Sequence, residues 1–282
     1  GGKNALGVDC LILGFFFVSY LLKVWHMVKG KPRRKELWLC GGLLFGLGWL
    51  LHMAQSSTAL VSLMVGISMM LFMGLPMVKK ENIGTWIVLV LVGLGIAEFV
   101  FGLSDAVFAL LGRDKTLTDR VYVWRDCLSI PINPILGAGF ESFWLGKRQE
   151  IMNAKWYWHP NEAHNGYLET YLTLGLLGLF ILLALLFSTF WKCRRELIAN
   201  FHLGRFRMGF LSALVVYNWT ESSFKALHPM WFVFYIIALD YTKDAVVVPA
   251  DPARIEVPPG THGLEAGDEP GDSPPELAAF DR

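Results

Sequence analysis

An arginine can grip an anion and a histidine can accept a proton, and one polar stretch supplies both, as Arg120 and His164. In LTDRVYVWRDCLSIP, Thr118 suits an N-cap and Pro131 a stop, so the spacing predicts a helix between them. Arg120 and Trp124 lie four apart and share a face, with Val121, Trp124 and Leu128 as the apolar stripe. An arginine at such a helix start, beside free backbone N–H groups, suits an anion. A surface ion pair with Asp119 or Asp126 is the commoner outcome of the same spacing. His164 stands before the apolar run of HPNEAHNGYLETYLTLGLLGLF, with Pro160 fitting a first helical turn. The positive end of that helix's dipole disfavours imidazolium, which makes a neutral general base. A capping or interfacial histidine is the commoner outcome of the same spacing; His159 and Glu162 compete, and Asn165 and Glu169 orient the ring or cap the helix.

Other polar points are fewer. Gly137 and Gly139 in NPILGAGFESFW permit a tight turn, which is a structural reading rather than a phosphate loop. Phe140, Phe143, Trp144, Trp156, Tyr157 and Trp158 suit sugar stacking or a membrane interface. The turns around Ser56, Ser57 and Thr58, and around Glu221 and Lys225, line a cavity or cap helices. Glu98, near a span end, is a carboxylate at membrane depth. No Cys/His pair has zinc spacing and no acidic run resembles a divalent-metal cage, so neither metal nor cofactor is expected.

These residues need elements to hold them, and composition says which. Hydrophobic residues make up 54% of the 282, above soluble averages, and they cluster in runs long enough to cross hydrocarbon. Spans are expected at about 7–28, 37–54, 57–78, 84–103, 166–191, 206–220 and 229–242. The expected fold is all-α, a polytopic bundle of about seven spans with one large periplasmic loop. The basic residues Lys29, Lys31, Arg33, Arg34 and Lys35, then Lys79 and Lys80, then Lys192, Arg194, Arg195, Arg205 and Arg207 fall in alternate loops. That side should be cytoplasmic, which puts residues 104–165 outside. The units are then residues 1–103, the loop 104–165, the helices of 166–242, and a disordered cytoplasmic tail 243–282 rich in Pro, Gly, Asp and Glu. Net charge near zero gives no pointer to nucleic acid. Cys10, Cys40, Cys127 and Cys193 imply no disulfide framework, and the start at Gly-Gly-Lys-Asn reads as a piece of a longer protein.

LGRDKTLTDRVYVW, NPILGAGFESFW and EAHNGYLETYLTLGLLGL follow one another as in the O-antigen ligase and polymerase family, and the first resembles its exopolysaccharide polymerase branch. GGKNALG and QSSTAL also resemble that family, so the likeness covers roughly residues 1–235. It implies a metal-independent membrane glycosyltransferase in the bacterial inner membrane. Such an enzyme moves glycan from undecaprenyl diphosphate to an acceptor glycan or lipid A core, beside polysaccharide export machinery. By the same resemblance Arg120 holds the diphosphate and His164 activates the acceptor hydroxyl. Trp124, Arg125, Lys3, Asn165 and Glu221 are substrate-binding candidates. Departures are Ser57, where relatives often carry a basic residue, and Asp119, where they often carry Gly; they leave the second diphosphate contact to Lys3, Arg125 or another residue. A lipid-glycan flippase or a non-catalytic assembly subunit are the alternatives, though polar groups gathered outside the spans differ from a transporter's midplane site.

Overall fold

A computed structural model describes residues 3–25, 30–87, 89 and 120–239. Its helices are α1 (Lys3–Trp25), α2 (Lys31–Ala54), α3 (Ser57–Met73), α4 (Arg120–Ser129), α5 (Gly146–Lys155), α6 (Gly166–Ala199), α7 (Phe201–Thr220) and α8 (Pro229–Ala238), with a 3-10 turn at Lys80–Asn82. The fold is all-α, and among the described residues the only bridge is an isolated one between Asn133 and Gly137. α1, α2 and α6 are long and apolar enough to cross a membrane; α3 and α8 are shorter apolar helices. Most of the expected span 84–103, together with Glu98, Thr118, Asp119 and the tail 243–282, lies outside the described residues.

α7 holds the bundle together. It packs along α3 and α6, while α1 packs on α2 and α3. Leu11, Phe15, Met70, Leu197, Met208, Phe210 and Phe234 are all but sealed from solvent in one cluster. α3 and α7 touch backbone to backbone at Gly66 and Gly209, where any Cβ would strike the facing helix. Arg205 and Arg207 correct an expectation: they are not loop residues but lie inside α7, buried. Arg207 is tolerated there because its Nε donates to the Ile237 carbonyl (2.7 Å) and its Nη2 to that of Leu239 (2.9 Å), capping α8. Arg205 lies over the Phe201 ring at 5.0 Å. Lys31 to Lys35 likewise belong to the first turns of α2 rather than to a connecting loop.

A second apolar cluster sits in the long segment before α6. Val123, Cys127, Ile130, Phe143, Trp144, Met152 and Ala163 close on Leu172 of α6. The stripe of α4 is therefore offset from the expected one: Val123, Cys127 and Ile130 face inward, while Val121 and Leu128 are exposed. Both sets have helical spacing, and contact with Phe143 and Met152 selects between them. Burial pushes the Cys127 thiol up to about 12, so it is an inert packing group. All four cysteines are free and buried.

α6 is broken at Gly175, whose φ of 65° and ψ of −162° leave the helical region. The turn at Asn133–Gly139 fills the break. In an unbroken helix Leu176 and Leu177 would donate to Leu172 and Thr173. Instead they donate to the carbonyls of Pro134 (2.9 Å) and Ile135 (3.1 Å). The Leu172 and Thr173 carbonyls accept from Ala138 and Gly139, each at 2.9 Å. Gly175 and Gly137 are required there, because a Cβ on either would run into the opposing backbone.

Candidate functional site

Arg120 opens α4 and points at the end of α7. Its Nη2 meets Glu221 Oε1 at 2.8 Å, and its Nη1 donates to the Thr220 carbonyl. The ion pair expected with Asp126 is thus not made, since Asp126 binds Lys155 at 2.9 Å; Asp119 lies outside the described residues. His164 approaches the same carboxylate from the other side, with Nδ1 3.4 Å from Glu221 Oε2 and 3.1 Å from Glu162 Oε1. Lys225 ends the row, 2.5 Å from Glu162 Oε2. Positive and negative groups alternate along Arg120, Glu221, His164, Glu162 and Lys225. Burial alone would raise the Glu221 carboxyl, but the hydrogen bond from His164 and the Arg120 charge outweigh it and hold the carboxyl below its ordinary value. Both carboxylates lie at Nδ1, so that nitrogen is the donor and Nε2 faces neither of them.

The backbone around His164 is gripped on every side. The Ala163 carbonyl accepts from Trp124 Nε1 at 2.7 Å, and the Ala163 N–H donates to Glu169 Oε2 at 2.8 Å. Trp144 Nε1 holds the other Glu169 oxygen at 2.7 Å. The N–H groups of Asn165 and Gly166 reach Ser222 Oγ (3.1 Å) and the Glu221 carbonyl (3.0 Å). His164 itself has a φ of 49°, left-handed and unfavourable for a residue with a Cβ. These bonds hold it there. α6 starts at Gly166 rather than near Pro160, and Asn165 is its N-cap, accepting from Tyr167 (3.1 Å) and Leu168 (3.0 Å).

The expected site residues therefore divide. Arg120, His164 and Glu221 converge. Trp124 gives its indole N–H to the Ala163 carbonyl, and Asn165 spends its Oδ1 on the cap of α6. Arg125 lies exposed on α4. Lys3 begins α1, and its side chain falls outside the description. Thr58 joins the group indirectly, through a 2.9 Å hydrogen bond with Thr220. A cavity of about 160 Å³ adjoins the row, walled by Asn4, Glu162, Glu221, Ser222, Lys225 and His228 among others. Asn4 was not singled out in the sequence; its Nδ2 donates to Glu221 Oε1 at 3.3 Å. Nor was His228, which caps α8 and whose imidazole burial holds below its ordinary value. Glu162, His164 and Glu221 also bring three possible metal-ligand atoms within 4.8 Å of one another. Spacing gave no hint of this, since 57 residues separate His164 from Glu221. Both carboxylates already face a cation, so a metal ion would compete with Arg120 and Lys225 for them.

A profile of the family described as O-antigen ligase matches residues 42–183, half of the chain, including Arg120, Trp124 and His164. The chain belongs to the O-antigen ligase family. It is also similar to the exopolysaccharide production protein ExoQ of Rhizobium meliloti (strain 1021), with 25% identity over 114 residues. That alignment covers 37% of this chain and about a quarter (26%) of ExoQ. Glu221, the shared partner of the arginine and the histidine, lies beyond the O-antigen ligase match.

Proposed function

We propose that this O-antigen ligase family chain carries the transfer site of a membrane glycosyltransferase. The observation that carries the reading is the shared Glu221 carboxylate, which links an anion-binding guanidinium to a base with a free Nε2. The donor is a glycan on undecaprenyl diphosphate, and the acceptor is a sugar hydroxyl of a growing glycan or lipid A core. The site faces the periplasm at the inner membrane. Family membership and the name of ExoQ support polysaccharide assembly, in which export machinery is a partner.

The acceptor oxygen attacks the anomeric carbon as its proton passes to Nε2 of His164. The bond from that carbon to the diphosphate oxygen breaks, and the electron pair leaves with the diphosphate. The remaining N–H groups of Arg120 stabilise that developing charge. The imidazolium that forms is stabilised by Glu221 and Glu162 at Nδ1. Arg125, exposed on the same helix, and Lys3, beside Asn4 of the cavity wall, are the candidates for a second diphosphate contact. No step calls on a metal ion, so the chelator EDTA leaves the rate unchanged.

The test is purified protein in vesicles with a radiolabelled undecaprenyl-diphosphate repeat, read as polymer, ligated lipid or unreacted donor. His164→Ala and Arg120→Ala each lower transfer by roughly 10²–10⁴-fold while remaining folded and inserted. Normal product from both variants would refute the reading.

A further inference from the structure

The turn at Asn133–Gly139 lies in a segment that the sequence places outside the membrane, yet its N–H groups from Ile135 to Gly139 are all paired within the protein. The N–H groups of Ile135 and Leu136 both donate to Asn133 Oδ1, at 2.9 and 3.0 Å. That of Gly137 donates to the Asn133 carbonyl at 2.8 Å, and those of Ala138 and Gly139 to α6. Five successive N–H groups are thus satisfied within the protein, as are the Pro134 and Ile135 carbonyls. Such pairing spares these N–H groups the cost of meeting hydrocarbon unpaired.

The side chains point the same way. Residues 130–140 carry no charge, and Ile135 and Leu136 are 60% and 58% exposed. Their backbones are bonded beside Leu176 and Leu177, which are exposed on α6, as is Phe180 one turn further along. The apolar surface of the turn is therefore continuous with the exposed face of a helix long enough to cross a bilayer. Depth agrees. α6 has no charged residue between Glu169 and Lys192. Twenty residues at about 1.5 Å each span about 30 Å, the hydrocarbon thickness, and counting back from Lys192 reaches Leu172. The break at Gly175 falls inside that limit.

We propose that Asn133–Gly139 is a re-entrant turn whose Ile135 and Leu136 side chains contact the acyl chains of the bilayer. The turn enters the leaflet on the His164 side and fills the break in α6, so a single inserted unit lies beneath the site. The placement needs only that α6 crosses the membrane and is independent of the proposed chemistry.

The experiment is nitroxide labelling of Leu136→Cys and Ile135→Cys in the full chain, reconstituted in phosphatidylethanolamine/phosphatidylglycerol vesicles. The four native cysteines are buried, so the unsubstituted protein serves as the labelling blank. Collision with oxygen should exceed collision with a water-soluble nickel chelate at both positions, as for a label at Leu177→Cys. The oxygen-to-nickel ratio should be several-fold above that of a label at Lys147→Cys on α5. A nickel-dominated profile at 135 and 136 would place the turn in water and overturn the proposal. Low access to both reagents would mean that protein, from a second copy or another segment, covers the turn, and would overturn it equally. Leu136→Ser offers a check without a label: vesicle-bound protein should lose thermal stability relative to Lys147→Ser, and equal stability counts against insertion.

Discussion

α7 carries buried charge at both ends, and the two ends differ in what the charge meets. Near its start, Arg207 spends its donors on the carbonyls of Ile237 and Leu239, with Glu196 at 3.8 Å. The short bonds go to backbone carbonyls, which do not titrate, so that cluster closes a helix end. At its finish, Glu221 faces Arg120 and His164 at once. There the hydrogen bond from His164 and the charge of Arg120 hold the Glu221 carboxyl below its ordinary value. A buried cation is therefore no pointer to chemistry by itself; a carboxylate shared between a cation and an imidazole is.

Substitutions at the two ends should separate these roles. Glu221→Gln should lower transfer by about 10²-fold or more, because a neutral amide stabilises imidazolium less than a carboxylate and leaves Arg120 without its counter-charge. The measurement is kcat in vesicles, with folding checked by detergent-resistant thermal melting. Arg207→Met should show the reverse pattern. Orphaned α8 carbonyls cost about 1–3 kcal/mol of stability, seen in the melt, while the rate per folded molecule is unchanged. Loss of activity in folded Arg207→Met would erase the contrast. Trp124→Phe removes one donor to the Ala163 carbonyl and should lower kcat by about tenfold at unchanged KM, the signature of a loosened base rather than a lost substrate contact. The smallest effect is on acid stability. Glu221 holds its proton less tightly folded than unfolded, so its contribution is whole above the ordinary 4.5 and is lost as pH falls through the lowered folded value. Glu221→Gln should remove that part of the acid dependence.

Arg120 and His164 stood out in the sequence only through the resemblance to a family, since spacing alone favoured a surface ion pair and a capping histidine. The membrane class was legible because long apolar runs are a property of neighbouring residues. The Asn165 cap, the glycine pair at 137 and 139, and the stop before Pro131 were legible for the same reason. What joins the site is not local. Glu221 lies 101 residues from Arg120, and Asn4 lies 217 from Glu221. Periodicity pointed to Val121, Trp124 and Leu128 as the inner stripe of α4, whereas packing against Phe143 and Met152 buries Val123 and Cys127 and leaves Val121 and Leu128 exposed. Arg205 and Arg207 were misplaced because loop charges and helix-capping charges look alike in one dimension. The break in α6 was hidden in a leucine-rich run that a helix would also fill; Gly175 was its one trace.

The left-handed backbone at His164 is a strain that glycine or asparagine would carry at less cost. His164→Gly would relieve it, but would also strip the buried Glu221 carboxylate of its imidazole partner. Melting curves of His164→Gly and His164→Asn therefore weigh backbone strain against a buried carboxylate's need for a donor.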